Sequence, residues 1–139
     1  MTVAFRVKDM MDQDIVSIDS ANTVAEAVDL MIRSKVWSLL VTKRGLPQGV
    51  VTERDVLRRC VSKGLAPDNV NVGEIMSSPL ITISQEATIR EAMSAMVEKD
   101  VRRLYVVEGG KVVGRITQTR LFQSNFDLMM SLSGLTGAL

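Results

Sequence analysis

The sequence lacks several residue types on which protein chemistry often depends. Its 139 residues include no histidine, one cysteine, one tryptophan, one tyrosine and three phenylalanines. Without histidine there is no Ser-His-Asp triad, no histidine metal site and no histidine general base. The single cysteine, Cys60, excludes an internal disulfide and a cysteine-rich zinc site, and so few aromatic rings disfavour a stacking platform for single-stranded nucleic acid. These absences predict a binding or regulatory protein that is not an enzyme.

An excess of one charge and long hydrophobic runs are lacking as well. Seventeen basic and sixteen acidic residues leave a net charge of +1, which provides no attraction to nucleic acid or to an anionic membrane surface. No run approaches the roughly 20 apolar residues of a membrane-spanning helix. The first residues, MTVAFRVKDMMDQD, become charged before an apolar run reaches the length of a signal peptide, which predicts a cytoplasmic protein without membrane insertion.

What the sequence does contain is an internal repeat with a period of 65 residues. Residues 7–57 align with residues 72–122 without a gap, and 13 of these 51 pairs are identical. One register holds through helix, strand and turn positions together, which indicates a duplication. The identical pairs are Val7/Val72, Met11/Met76, Ile18/Ile83, Thr23/Thr88, Glu26/Glu91, Ala27/Ala92, Met31/Met96, Val36/Val101, Leu39/Leu104, Val41/Val106, Gly45/Gly110, Gly49/Gly114 and Thr52/Thr117.

Each copy predicts the element order β-α-β-β-α. A short apolar strand precedes a helix that starts with a capping box, in which a threonine and a glutamate three residues later bond reciprocally. Two strands joined by a glycine-containing turn then predict a β-hairpin, and a closing helix follows. The boxes are Thr23 with Glu26 and Thr88 with Glu91; the hairpin strands are 38–42 with 49–51 and 103–107 with 112–116; the closing helices are about 53–63 and 118–130.

Apolar residues at helical spacing predict one buried stripe on each helix. The first helices are expected to bury Val24, Ala27, Val28 and Met31 in copy one, and Ile89, Ala92, Met93 and Met96 in copy two. The closing helices are expected to bury Val56, Leu57, Cys60 and Val61, and Leu121, Phe122 and Phe126.

The predicted boundaries follow the repeat. They are residues 7–63 for the first copy, 64–71 for a linker, 72–130 for the second copy and 131–139 for a tail. Gly64 and Pro67 end a helix in the linker. Either half alone is near the size at which a core is marginal, so the two sheets are expected to pack together. The apolar residues of the C-terminal segment either cover the protein, make a dimer contact, or belong to a flexible end; they are Leu128, Met129, Met130, Leu132 and Leu135.

The ordered pattern resembles a pair of CBS domains, named after cystathionine β-synthase and also called a Bateman module. The matching stretches, within residues 7–122, are VKDMMDQDIVSIDSANTVAEAVDLM, SLLVTKRGLPQGVVTERDVLRR, VGEIMSSPLITISQEATIREAMSAM and VRRLYVVEGGKVVGRITQTRLF. The resemblance implies an α/β (α+β) fold of two β-α-β-β-α repeats packed sheet to sheet with pseudo-twofold symmetry. It also implies two clefts that bind AMP, ADP, ATP or S-adenosylmethionine in many members, and a homodimer.

The segment GVVTERD, residues 49–55, is the candidate for ligand binding. Its glycine allows a ligand to come close to the backbone, and an ionised Asp55 can accept two hydrogen bonds from the vicinal hydroxyls of a ribose. The alternative is that Asp55 only favours the helix N-terminus electrostatically. By resemblance, Asp55 holds the ribose and Thr52 approaches the sugar or the phosphate.

By resemblance, residues of the second repeat complete this cleft. Pro79, Leu80 and Ile81 correspond to the wall of the base pocket, and Val101, Arg102 and Arg103 lead toward the phosphates, which arginine binds bidentately. The alternative for the two arginines is a solvated basic pair, or salt bridges with Asp100 and Glu98. The expected nucleotide-binding residues are Val50, Thr52, Arg54, Asp55, Pro79, Leu80, Ile81, Val101, Arg102 and Arg103.

The second cleft is expected to be weaker or empty. Arg120 stands where copy one has Asp55, and a guanidinium cannot accept hydrogen bonds from a ribose. Trp37 either stacks on a base or is a core or interface residue. The residues of this cleft are Ile15, Val16, Val36, Trp37, Thr117 and Arg120.

These features predict an adenine-nucleotide-sensing module, with AMP favoured over ADP and ATP, that has no catalytic cofactor and no metal. The positive sulfonium of S-adenosylmethionine is disfavoured by Arg102 and Arg103. Ligand binding is expected to shift the packing of the repeats or the dimer, which an unknown effector protein then senses. One alternative is a structural or interaction module without a physiological nucleotide. Another is a nucleic-acid-binding protein, which the neutral charge disfavours.

Overall fold

The structure, a computed structural model, describes residues 5–134, apart from the side chains of residues 124 and 125. The predicted order β-α-β-β-α is confirmed in both copies, and a short helix that was not predicted precedes each one. The elements are α1 (Val7–Met10), β1 (Ser17–Asp19), α2 (Val24–Ser34), β2 (Ser38–Lys43), β3 (Leu46–Thr52), α3 (Glu53–Val56), a π-helical turn (Leu57–Val61), a 3-10 turn (Pro67–Asn69), α4 (Val72–Ile75), β4 (Thr82–Ile83), α5 (Ile89–Lys99), β5 (Arg103–Glu108), β6 (Lys111–Thr117) and α6 (Gln118–Ser133).

The chain forms two compact units whose limits differ from those of the sequence repeat. Residues 15–81 form one unit, and residues 5–14 together with residues 82–134 form the other. Helix α1 therefore belongs with β4–β6, where the Val7 N–H donates to the Ala87 carbonyl at 2.8 Å. Helix α4 belongs with β1–β3, where the Val72 N–H donates to the Asn22 carbonyl at 2.8 Å. The repeat describes the period of the sequence, and the units describe which segments pack together.

Each unit contains a three-stranded sheet of the same topology. In the first, β1 pairs parallel to β2 and β2 pairs antiparallel to β3. In the second, β4 pairs parallel to β5 and β5 pairs antiparallel to β6. Both hairpins change register at equivalent places, between Val41 and Thr42 and between Val106 and Val107. The predicted hairpins are thus confirmed, and the bulge sits at the same point in each copy.

The core of the unit formed by residues 15–81 lies between its sheet and the inner faces of its helices. Val24, Ala27 and Met31 of α2 are buried against Leu39 and Val51 of the sheet. Burial of a full aliphatic side chain stabilises a fold by about 1.5–3 kcal/mol, so this stripe holds α2 on the sheet. Met96 of α5 and Cys60 are also buried, as predicted.

Both first helices begin at the predicted threonines. The Thr23 hydroxyl accepts from the Glu26 N–H at 3.1 Å, and the Glu26 carboxylate accepts from the Thr23 N–H at 3.0 Å, which completes the capping box. These bonds stabilise the ionised carboxylate: the Thr23 N–H, followed by the Asn22 and Thr23 side chains, lowers the pKa of Glu26 below its ordinary value. At α5 the Thr88 hydroxyl accepts from the Glu91 N–H at 3.1 Å, which is the threonine half of the box.

The prediction that the closing helices bury wide apolar stripes is wrong. Val56, Cys60 and Leu121 are buried, but the other members of the stripes are exposed. A π-helical turn follows α3, in which the Ser62 N–H donates to the Leu57 carbonyl at 2.9 Å, but it is not the cause, because the regular helix α6 leaves the equivalent residues exposed as well. Successive residues of a helix differ by about 100° in direction, so when Val56 and Leu121 face inward the next residue points away from the core. Only one narrow line of side chains then faces the sheet. The exposed residues are Leu57, Val61, Phe122 and Phe126, together with Met93 of α5.

Exposure bears on two further expectations. Trp37 is 59% exposed, which excludes the core among its alternatives, while stacking on a base and an interface stay predictions. Helix α6 continues to Ser133 and leaves Leu128, Met129 and Leu132 exposed, while Leu135 lies outside the described residues. Within residues 5–134, no helix has the length and apolar character needed to cross a membrane.

Candidate functional site

Asp55 lies at the junction of β3 and α3, in a second capping box. The Thr52 hydroxyl accepts from the Asp55 N–H at 3.2 Å. In return, Asp55 Oδ2 accepts from the Thr52 N–H at 3.0 Å and from the Thr52 hydroxyl at 3.2 Å. The favourable position at the helix N-terminus, which the sequence left as an alternative, is therefore real. The capping contacts involve only Oδ2 of the carboxylate.

The other oxygen of Asp55 is bonded by a residue that the sequence did not identify. Ser77 follows α4 and pairs with Val50 through two backbone hydrogen bonds of 3.0 and 2.8 Å. Its hydroxyl donates to Asp55 Oδ1 at 2.9 Å. The Asp55 side chain is only 10% exposed, and these donors offset the cost of removing its charge from water. The sequence contains only a weak indication that Ser77 contacts Asp55, because a serine two residues before a proline occurs in many structural settings.

Gly49 explains how this pairing forms. A Cβ atom on Gly49 would overlap the carbonyl oxygen of Ser77, and it would lie 3.2 Å from the Ser78 side chain. The close approach that the sequence suggested for a ligand is thus made by the chain's own backbone, and Gly49 is needed to bring Ser77 beside Asp55.

Arg59 contacts the residues that immediately precede Ser77. Its Nη1 donates to the carbonyl of Ile75 at 3.1 Å and to that of Met76 at 2.8 Å. Its Nε lies 4.0 Å from Asp55 Oδ1. The guanidinium therefore satisfies carbonyls at the end of α4 and contributes positive charge near the carboxylate.

The remaining predicted residues of the first cleft fall into both units. Pro79, Leu80 and Ile81 share the unit of Asp55 and lie between Ser77 and β4, outside any helix or strand; Arg54 is exposed on α3. Val101, Arg102 and Arg103 belong to the other unit, where they lead into β5. Their contribution to a ligand site stays a prediction.

The residues predicted for the second cleft make different contacts. The Thr117 hydroxyl accepts from the Arg120 N–H at 3.1 Å, and Arg120 Nε donates to the Met10 carbonyl at 3.4 Å. Met10 is the counterpart of Ile75 in the repeat, so Arg120 and Arg59 make the same type of contact with equivalent carbonyls. Arg120 makes it from the position of Asp55, which lies one helical turn before Arg59. Ile15, Val16 and Val36 are half-buried in the unit of residues 15–81, beside the exposed Trp37.

An ion pair takes the place of the Ser77–Asp55 contact in the second copy. Asp12 and Arg115 stand at the positions of Ser77 and Val50, form the equivalent backbone pairing, and bring Arg115 Nη2 within 3.6 Å of Asp12 Oδ2. The two copies have therefore diverged in side chains while keeping one backbone arrangement. Among the described residues there is no cluster of three or more potential metal ligands of the histidine, cysteine, aspartate and glutamate types.

Comparison with known proteins agrees with this architecture. The model of the CBS domain matches residues 7–62 and 72–125. An uncharacterized protein of Methanopyrus kandleri is 33% identical over 119 residues, which are 84% of this chain and 61% of that protein, so the chain spans less than two thirds of this relative.

Solved structures match over most of their length. An uncharacterized conserved protein from Pyrococcus horikoshii superposes with a TM-score of 0.83 at 29% identity, covering 90% of this chain and 95% of that one. A candidate signal-transduction protein with CBS domains from Burkholderia ambifaria gives a TM-score of 0.77 at 30% identity, covering 81% and 82%. Together with the repeated β-α-β-β-α units, these matches show that the chain belongs to the CBS-domain family, with two CBS repeats in tandem.

Proposed function

We propose that this tandem CBS protein is a regulatory module that senses an adenine nucleotide through the carboxylate of Asp55. CBS tandem proteins are in general regulatory or signal-transduction modules. The observation that carries the proposal is a buried carboxylate at the end of a strand, held in place by Thr52 and by the Ser77 hydroxyl at 2.9 Å. A preorganised acceptor of this kind suits a ligand with two adjacent hydroxyl donors.

The ribose of a nucleotide supplies such a pair of hydroxyls. Residues 79–81 follow the Ser77 segment outside any helix or strand, and their backbone groups and apolar side chains suit the edge and face of an adenine. By the same proposal, a guanidinium of Arg102 or Arg103 binds the phosphate. A nucleotide that binds one arrangement of the protein more tightly shifts the population toward it, and a separate effector protein senses that shift.

The test is titration calorimetry with AMP, 2′-deoxy-AMP and adenosine. We expect AMP to bind and 2′-deoxy-AMP to bind about 10- to 100-fold more weakly, because one hydrogen bond to a charged acceptor is lost. Arg102→Ala or Arg103→Ala is expected to weaken AMP but not adenosine. Equal affinities for AMP and 2′-deoxy-AMP would contradict the role of Asp55, and no binding of any of them would favour an interaction module without a nucleotide.

A second proposal concerns a homodimer, and it is supported by exposed apolar residues that follow the 65-residue period. Both copies expose apolar side chains at the same three helical positions. The pairs are Ile32 and Val97 (64% and 81% exposed), Leu57 and Phe122 (59% and 72%), and Val61 and Phe126 (54% and 53%). A set of exposed apolar positions that occurs in both copies can be covered by the same set on a second chain in an isologous dimer.

Sedimentation velocity tests this dimer. Phe122→Lys is expected to convert the dimer to a monomer, because it places a charge in the apolar contact. Leu46→Lys is the matched control, since Leu46 is equally apolar, 64% exposed and outside the repeated set. A wild-type protein that sediments as a monomer, or two variants that behave alike, would contradict the proposed interface.

A further inference from the structure

We infer that Ser77 is an internal competitor for Asp55, so that a ligand with two adjacent hydroxyls binds only by displacing the Ser77 hydroxyl. The inference rests on the proposed function and adds a residue that determines the affinity of the same site.

The acceptor positions of Asp55 are nearly filled. An ionised carboxylate has about four lone-pair positions. Oδ2 accepts from the Thr52 N–H at 3.0 Å and from the Thr52 hydroxyl at 3.2 Å, and Oδ1 accepts from the Ser77 hydroxyl at 2.9 Å. Two adjacent ligand hydroxyls need two positions, and only about one is left. One of the protein's donors has to leave when both hydroxyls bind.

The Ser77 hydroxyl is the donor that can leave at the lowest structural cost. The Thr52 N–H is fixed by the backbone, and the Thr52 hydroxyl is held because it also accepts from the Asp55 N–H at 3.2 Å. The hydroxyl of Ser77 turns about a single side-chain bond. The backbone of Ser77 meanwhile keeps its two hydrogen bonds to Val50.

The surroundings favour rotation of the hydroxyl over movement of the segment. Arg59 bonds the carbonyls of Ile75 and Met76 at 3.1 and 2.8 Å, so the chain is held immediately before Ser77. The Asp55 side chain is 10% exposed, which limits replacement of the serine by water in the free protein. Ser77 thus stabilises the free carboxylate and lowers the affinity for the ligand.

The experiment compares Ser77→Ala with Ser78→Ala, the adjacent exposed serine, with AMP as the probe. Ser77→Ala is expected to unfold at a lower denaturant concentration than Ser78→Ala, yet to bind AMP about three- to tenfold more tightly, the fold-change that corresponds to one net hydrogen bond. Ser78→Ala is expected to bind AMP like the wild type. A serine that contacts the ligand directly would give the opposite sign.

The outcomes separate the inference from the proposed function. If the wild type binds AMP and Ser77→Ala binds it equally or more weakly, the competition is overturned while the nucleotide site stands. If the wild type does not bind AMP, the proposed function fails and the inference fails with it. Unchanged resistance of Ser77→Ala to denaturant would also overturn the inference, because the hydroxyl would then not stabilise the free carboxylate.

Discussion

Replacing Gly49 with alanine is expected to destabilise the unit of residues 15–81 by about 1–3 kcal/mol, the usual cost of adding a methyl group to a filled space. The new Cβ would overlap the carbonyl oxygen of Ser77, which is backbone and is held by its pairing with Val50. Relief of that overlap requires separation of the two segments. The gain from a stiffer unfolded chain, about 0.4–1 kcal/mol, is too small to offset it.

Gly114 provides the matched control, because it occupies the same place in the other unit. A Cβ atom there would lie 2.5 Å from Met11 Sδ and 3.2 Å from the Asp12 carbonyl oxygen. A methionine side chain is flexible and can move away at small cost. Urea unfolding followed by circular dichroism should therefore show a larger loss for Gly49→Ala than for Gly114→Ala. Equal losses, or the reverse order, would show that the Ser77 segment moves to make room for the methyl group.

Asp55→Asn is expected to remove the stabilisation of the protein by AMP. A ligand present at 100 times its dissociation constant stabilises the folded state by about 2.7 kcal/mol. Asparagine keeps the shape of aspartate, but it loses the negative charge and replaces one acceptor oxygen with a donor. The vicinal hydroxyls would then meet a donor where they need an acceptor, and thermal melting with and without AMP should show little difference.

The control for this change is Asp29→Asn. Asp29 is an exposed carboxylate of the same unit, 2.9 Å from Arg33, and its ion pair is of the surface type that contributes little. This variant and Arg120→Ala are both expected to keep the full thermal shift with AMP. A full shift in Asp55→Asn would place the nucleotide elsewhere, whatever the stability of the variant without ligand.

The local features of the fold could be predicted from the sequence because their causes lie close together in the chain. The capping box of Thr23 and Glu26 and the hairpin turns depend on residues a few positions apart. The exposure of Leu57 could not be predicted in this way. Its apolar side chain fits a helical stripe, but the width of the stripe that is covered depends on distant strands, and the equivalent Phe122 of the regular helix α6 is exposed as well.

In the candidate site, too, contacts between residues close in sequence could be predicted and contacts between distant residues could not. Thr52 and Asp55 are three residues apart, and their role at a helix start was visible in the sequence. Ser77 is 22 residues from Asp55, and Arg59 is 16 residues from the carbonyl of Ile75, so neither contact has a local signal. Arg120 was interpreted only as the loss of an acceptor. Its bond to the Met10 carbonyl shows that it also has a structural role, which depends on the distant segment before β1.

The grouping of α1 with β4–β6 affects the order in which the chain can fold. All elements of one unit lie within residues 15–81, so the contacts within it close no loop through the rest of the chain. The other unit joins Val7 to Ala87, which closes a loop of 80 residues (87 − 7) and carries a greater entropic cost. During synthesis the contiguous unit can form first, whereas α1 can pack only after β4–β6 have been synthesised. The duplicated elements thus share a topology but differ in contact order.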